Sequence, residues 1–258
     1  MKTIIITGGS SGIGRATALL FSERGWKVYE LSRHGASTDG IVHIDCDVTR
    51  AELCREAVAQ VLAREQRVDL LISNAGMGVA GSVEFTPDEE LHRQMDVNFF
   101  GAMNIVRAVL PQMRAQRGGR IIFVSSIAAV FSIPYQAYYS ASKAALNAVA
   151  LALQNEVREF GIDVCCLLPG DVKTGFTAAR QKVHAGAEVY RHMQKSVETM
   201  EHDEQTGLSP EQMARRLWRM GNSRWVWIYQ TTGWYKLLAL LEKLLPKTLV
   251  NRVVGWLY

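Results

Sequence analysis

Two tyrosines stand side by side in A-Y-Y-S-A-S-K, residues 137–143, just ahead of a lysine. On a helix, residues four apart share a face, so Tyr139 lies beside Lys143 while Tyr138 is rotated toward Ser142. A phenol ordinarily titrates near pH 10, and a neighbouring ammonium favours the phenolate, so a Tyr/Lys pair can serve as a proton donor or acceptor. A lone Y-x-x-x-K is more often a half-buried aromatic beside a snorkelling lysine. The elements around the pair must therefore decide between the two.

Those elements alternate. Short β-branched runs at Thr3 to Thr7, Lys27 to Leu31, Val42 to Asp45, Val68 to Ser73, Arg120 to Ser125 and Ile162 to Leu168 read as strands, with a last strand expected at Trp225 to Tyr229. Amphipathic segments lie between them: Gly14 to Arg24, Arg50 to Glu65, Asn98 to Arg117 and Tyr138 to Phe160. This order predicts βαβ units, hence an α/β, Rossmann-like, doubly wound parallel sheet in three α/β/α layers. A single domain over residues 1–258 is expected, with a substrate lid at about 175–210 and C-terminal amphipathic helices at about 233–258.

Ligands of such sheets bind beyond the carboxyl ends of the strands, and small polar residues cluster there. Gly8, Gly9, Gly12 and Gly14 follow the first strand, Asn74-Ala75-Gly76 the fourth, Ser125-Ser126 the fifth and Pro169-Gly170 the sixth. The turn T-G-G-S-S-G-I-G departs from the G-x-G-x-x-G dinucleotide fingerprint. Its glycines still permit a tight turn whose NH groups, with the dipole of the following helix, attract a pyrophosphate. The second strand runs into L-S-R-H, where an arginine suits a ribose 2′-phosphate, so Ser32 and Arg33 favour NADP(H) over NAD(H). Glu30 is a competing signal for a ribose diol.

Composition narrows the alternatives. With 48% hydrophobic and 21% charged residues, the 258-residue chain has ample material for a core, and a net charge of +4 spread along the sequence gives little support for nucleic-acid binding. Cys46, Cys54, Cys165 and Cys166 lack metal-ligand spacing and read as reduced core thiols, so no metal is expected. The start M-K-T-I-I-I-T-G-G is not a signal peptide, and no apolar run is long enough to span a bilayer. A cytoplasmic protein is expected.

Taken together, these residues resemble the short-chain dehydrogenase/reductase family in its compact single-domain form. The matching pieces are the glycine turn at 7–14, Asp47-Val48, N-A-G at 74–76, Asn98 in D-V-N-F-F-G, Ser126, Tyr139, Lys143 and P-G-D-V-K-T at 169–174. Ser126 precedes Tyr139 by the family's thirteen residues, which selects Tyr139 from the pair. The resemblance implies that Tyr139 is the general acid/base, that Ser126 binds the substrate oxygen, that Lys143 holds the nicotinamide ribose and lowers the tyrosine's pKa, and that Asn98 holds a relay water. It further implies cofactor contacts by Gly8, Ser10, Ser11, Gly12, Ile13, Gly14, Ser32, Arg33, Asp47, Val48, Asn74, Ala75, Gly76, Pro169, Gly170, Val172 and Thr174. Asp171 stands at a position that varies in the family and receives no role. Tyr135 and Tyr138 read as packing or substrate-wall residues.

The implied activity is NADP(H)-dependent interconversion of a carbonyl and a secondary alcohol. The apolar C-terminal part points to a bulky hydrophobic substrate, steroid-like or lipid-like, although a buried packing helix explains it more simply. A catalytically silent NADPH-binding scaffold is the alternative, and a nucleotide-sugar epimerase or dehydratase fits less well because too few residues follow Pro169. A homodimer or homotetramer is implied by the resemblance. In the tail, Trp234, Leu237, Leu238, Leu241, Leu244 and Leu245 form one stripe, and Leu249, Val250, Val253, Val254 and Leu257 a second beyond Pro246. Packing against the body beside the substrate entrance is favoured over contact between a membrane surface and Lys236, Lys243, Lys247 and Arg252.

Overall fold

The computed structural model describes residues 1–258 apart from Asp39, Val226 and Trp234, and apart from the side chain of Leu241. In chain order the elements are β1 (Thr3–Thr7), α1 (Gly12–Glu23), β2 (Lys27–Ser32), β3 (Ile41–Asp45), α2 (Ala51–Glu65), β4 (Leu70–Ser73), β5 (Val79–Ala80) and α3 (Asp88–Met95). A π-helical turn at Asp96–Phe100 leads into α4 (Gly101–Ala115), then come β6 (Gly119–Val124), α5 (Ala137–Val157), β7 (Ile162–Leu168), α6 (Phe176–Ala179) and β8 (Gln181–Lys182). The chain continues with α7 (Met193–Thr206), α8 (Pro210–Asn222), β9 (Tyr229–Thr231), α9 (Tyr235–Leu244) and α10 (Lys247–Leu257).

Among the described residues, seven strands form one parallel sheet in the order β3-β2-β1-β4-β6-β7-β9. The order reverses direction on either side of β1, which makes the carboxyl ends of β1 and β4 a crevice. Parallel strands are covered on both faces, and β1 is apolar throughout its interior for that reason. Ile5 packs with Val58 of α2, Val106 of α4 and Leu146 of α5. Ile4 and Ile6 face the other way, toward Ala18 and Phe21 of α1 and Met213 and Leu217 of α8. The fold is thus the expected Rossmann-like α/β/α arrangement.

Three sequence expectations need correction. The last strand is Tyr229–Thr231, pairing with Cys166 to Leu168, rather than Trp225 to Tyr229. Trp225 and Trp227 are exposed, so the aromatic run that resembles a strand makes no buried face, and Val226 lies outside the described residues. The segment from Asn98 is not one uniform helix, because the π turn inserts before α4 and carries Asn98 inward to full burial. The two tail helices form, but only part of each stripe lies against the body: Leu238 and Val250 are half-buried and Val254 is buried, while most of the other stripe residues face outward. Leu237, Leu244, Leu245, Leu249, Val253 and Leu257 are exposed, while Glu242 and Val254 are buried. Trp234 and the side chain of Leu241 lie outside the described part of this pattern.

Helix α8 carries a signal that sequence reading passed over. Ser209 accepts from the amide of Gln212, and the Gln212 side chain accepts in return from the Ser209 amide, a capping box with Pro210 in the first turn. This cap starts the helix that covers α1 and β1, where Trp218 meets Phe21 and Trp26 edge to face. Ser209→Ala is expected to cost about 1 kcal/mol, a fall of about 2–4 °C in the thermal midpoint, while Ser209→Asp stays close to the parent. Calorimetric melting of both variants checks this.

Candidate functional site

The site begins with the turn after β1. Gly8 and Gly12 have φ of +65° and +52°, a region that side chains rarely enter. A Cβ on Gly14 would sit 2.2 Å from the Gly8 carbonyl oxygen, so the helix can start this close to the turn only with glycine there. The Asn74 side chain holds the same turn from β4, donating to the carbonyls of Thr7 at 3.0 Å and Gly8 at 3.1 Å. The Thr7 hydroxyl in turn accepts from the amides of Asn74 and Ala75, both at 3.0 Å. The result is a tight backbone cradle at the N-terminus of α1, which suits a dinucleotide pyrophosphate.

A cavity of about 420 Å³ opens beyond this cradle. Of the residues singled out in the sequence, Gly8, Ser11, Gly12, Ile13, Asn74, Ala75, Gly76, Ser126, Tyr139, Lys143, Pro169, Gly170, Val172 and Thr174 line it. Gly14 supports the turn from below. Ser10 is exposed beside it. Ser32, Arg33, Asp47, Val48 and Asn98 do not reach the cavity. Ser32 is buried and donates to Glu30 and to the His34 carbonyl, whereas Arg33 is exposed at the end of β2. Asp47 closes its own turn by accepting from Thr49, and the Val48 carbonyl accepts from Asn104.

The two tyrosines part company as their spacing predicts. Tyr139 lines the cavity together with Ser126, while the Tyr138 hydroxyl donates to the Val83 carbonyl at 3.1 Å and lies outside it. Ser126 also caps the following 3₁₀ turn, accepting from the Ala128 amide at 3.1 Å. Asn98 uses its amide as a clamp. It accepts from the Met77 amide at 2.8 Å and donates to the Met77 carbonyl and the Ser142 hydroxyl, each at 3.0 Å. It thereby ties the loop after β4 to the same helix turn that carries Tyr139 and Lys143.

Burial sets the protonation of both groups. Burial pushes the Tyr139 phenol up to about 12, against a smaller lowering by the Ser126 hydrogen bond. The Lys143 amine sits 5.7 Å from the Tyr139 ring centroid and donates to the Val124 carbonyl at 2.9 Å, and burial takes its own pKa down to about 8. Loss of water disfavours the charged form of both groups, so each moves toward neutrality.

Several cavity residues had no role in the sequence reading. Gln136, Ile133, Phe176, Met200, Glu204 and Tyr258 all contribute to the wall. Glu204 is engaged by Arg180 and by the Thr177 hydroxyl at 2.5 Å. Asp171 also reaches the cavity. Burial raises its carboxyl, and the Tyr235 hydroxyl donates to it. Phe176 and Met200 belong to the 175–210 segment, where periodicity gave only apolar residues among charges. Nothing in the sequence linked Tyr258 to a site some 120 residues earlier.

Comparison with known proteins agrees with this geometry. The family model for short chain dehydrogenase matches residues 2–185. The 3-ketodihydrosphingosine reductase of Bacteroides thetaiotaomicron is 43% identical over 216 residues, covering 82% of this chain and 80% of that protein. The 3-oxoacyl-[acyl-carrier-protein] reductase MabA of Mycobacterium avium is 29% identical over 187 residues, 72% of this chain and 73% of that one. A crystal structure of a short-chain dehydrogenase from Streptomyces avermitilis superposes with a TM-score of 0.85 at 29% identity, covering 99% of this chain and 95% of the other. The chain belongs to the short-chain dehydrogenase/reductase family. It is accordingly an oxidoreductase of the CH-OH/C=O couple that uses a nicotinamide dinucleotide.

The buried lysine has a measurable consequence. Its folded pKa of about 8 lies below the ordinary 10.5, so the unfolded chain binds the proton more tightly. Stability therefore rises with pH between those values, and the penalty is complete below pH 8. Without cofactor, the melting temperature of the parent should climb relative to Lys143→Met between pH 8 and pH 10. A difference that stays flat across this range would show that the amine titrates normally.

Proposed function

We propose that the protein reduces a bulky, lipid-like ketone to a secondary alcohol with NADPH, with Tyr139 as the proton donor. The observation that carries this reading is the convergence of Ser126 and Tyr139 in one cavity walled by Ile133, Phe176 and Met200. The glycine cradle at Gly8 to Gly14 fits a dinucleotide pyrophosphate, and Thr174 and Val172 line the side where a nicotinamide would lie. When bound, that cofactor supplies the hydride. The chain does the rest.

Ser126 and Tyr139 together offer two hydroxyls to one substrate oxygen. As negative charge develops there, the Tyr139 proton moves onto it. A phenol held near 12 is fully protonated at neutral pH, which suits a donor and hence the reducing direction. The uptake of a proton by the oxygen matches the arrival of hydride at carbon. Lys143, fixed between the Val124 carbonyl and the Tyr139 face, lies where it can meet a ribose hydroxyl and help restore the phenol proton. Asn98 acts as a positioning residue through Met77 and Ser142, and a relay water near it remains part of the proposal.

Preference for NADPH rests on Arg33, exposed at the end of β2 and able to meet a 2′-phosphate. Glu30 is a poorer ribose ligand. It is buried under Gly9, with Oε1 engaged by His43 and Oε2 facing no partner. Burial alone would lower the His43 imidazole, yet hydrogen bonds to Asp45 and Glu30 hold it above its ordinary value. The pair thus reads as an internal clasp between β2 and β3.

A lipid-like substrate is supported by the apolar cavity wall and by the relative whose name specifies a 3-ketodihydrosphingosine. In this reading the 175–210 segment, which contributes Phe176 and Met200, acts as the substrate lid. A homodimer or homotetramer through α4 and α5 is part of the same proposal, consistent with exposed Phe100 beside α4 and Leu151 on α5.

Tyr139→Phe is expected to lower kcat for a long-chain ketone by about 10²–10⁴ while NADPH affinity is retained, with Tyr138→Phe close to the parent. Reversed behaviour would contradict the assignment. Arg33→Asp should move the NADPH/NADH ratio of kcat/KM by about 10–100-fold toward NADH. An unmodified protein that binds NADH more tightly than NADPH by calorimetry would overturn the cofactor choice.

A further inference from the structure

The last two helices bury the wrong side for ordinary packing. On α9, Leu237, Leu240 and Leu244 are exposed at i, i+3 and i+7, and the side facing the body carries Glu242. On α10, Leu249, Val253 and Trp256 are exposed at i, i+4 and i+7, with Trp256 95% exposed, while Val254 faces inward. These spacings place each trio on one helical face. Two neighbouring helices therefore turn an apolar face outward, next to the residue, Tyr258, that lines the catalytic cavity.

Charge defines what can cover such a face. From residue 233 to 258 the only acid is Glu242, which is buried and paired with Lys247. Lys236, Lys243 and Arg252 are exposed on the same helices without a neighbouring exposed carboxylate in that stretch. At the base of α9, a cleft of about 240 Å³ between α8 and the loop after β9 is lined by Arg215, Arg216, Arg219 and Lys236 and, among the described residues, by no carboxylate, although exposed Glu211 lies near Arg215 on α8. Thr232 is 6% exposed in the same cleft, and its hydroxyl has no hydrogen-bond partner. The buried Nε of Arg216 is likewise unpartnered, and its Nη2 donates to the Thr231 carbonyl at 3.2 Å. Buried donors left open are costly unless a ligand meets them.

We propose that this surface docks the protein on an anionic lipid bilayer. The outward faces of α9 and α10 enter the boundary between headgroups and acyl chains, and the cationic cleft receives a lipid phosphate. A second copy of the chain is a poorer occupant. A two-fold contact would set these cations against their own counterparts, and the tail offers no exposed acid to answer them. An anionic bilayer answers both features, with an apolar interior for the leucines and Trp256 and negative phosphates for the arginines. The inference stands on the surface alone and does not require the lipid-ketone reading.

Sedimentation of the full-length protein with vesicles tests it. Phosphatidylcholine vesicles containing phosphatidylglycerol should carry the protein down, pure phosphatidylcholine much less, and added salt should release it. The double variant Leu249→Ser/Trp256→Ser should lose about tenfold in partition coefficient, since two large apolar side chains leave the interface. Arg215→Gln/Arg219→Gln should erase the preference for phosphatidylglycerol. All four positions are on the surface outside the catalytic cavity, so thermal midpoints and turnover of a short soluble ketone should match the parent. Failure to sediment with either vesicle would overturn the proposal. So would a light-scattering mass that halves in Leu249→Ser/Trp256→Ser without any vesicle binding, because the face would then join two copies. Inorganic phosphate binding in the cleft with no effect of Arg215→Gln/Arg219→Gln on sedimentation would equally remove the headgroup role.

Discussion

The Lys143 amine donating to the Val124 carbonyl is the contact on which the site depends. It fastens one turn of α5 to the end of β6, directly beneath the place where Tyr139 reaches the cavity. Burial disfavours the charged amine and brings its pKa down to about 8. The surrounding structure fixes the same turn from two further sides. Ser125 donates to the Lys143 carbonyl at 3.1 Å, and Ser142 links through Asn98 to the loop after β4. The π turn before α4 follows from this demand, since it brings Asn98 inward far enough to hold both Met77 and Ser142.

This arrangement gives the site its chemical bias. Desolvation keeps Tyr139 as a phenol, while Lys143, brought down to about 8, still carries its proton at neutral pH, so both groups hold a proton in the resting site. The glycine turn provides the complementary half, with a backbone that carries no side chain between it and an anionic ligand. The two halves meet because the sheet order reverses at β1, bringing the ends of β1, β4 and β6 to one rim.

Much of this was legible in the residues. The β-branched runs marked six strands to within two residues, because parallel strands buried on both faces leave an uninterrupted apolar signal. The i, i+4 rule alone separates Tyr139 from Tyr138. Periodicity also located the tail helices, yet it misjudged their orientation. An apolar stripe says which residues share a face and does not say whether protein covers that face; the turn of Leu237 and Trp256 outward depends on what α9 and α10 meet through Tyr235, Glu242 and Tyr258. The direction of the Tyr139 shift was equally hidden. Sequence gives the neighbour that lowers a pKa, whereas the depth of burial that raises it belongs to the tertiary structure. The Ser209/Gln212 capping box, by contrast, was readable and was overlooked at the end of the segment assigned to a lid.

The protonation state of Tyr139 is the point on which the account turns, and ultraviolet difference titration reads it directly. Phenolate absorbance is followed in the parent and in Tyr139→Phe, without cofactor, and the two curves are subtracted. The account predicts no difference signal from neutral pH up to about pH 10, because burial holds this phenol near 12. A phenolate assigned to Tyr139 and appearing near neutral pH would contradict it, placing the proton elsewhere in the resting site and making Lys143 the dominant influence on the tyrosine.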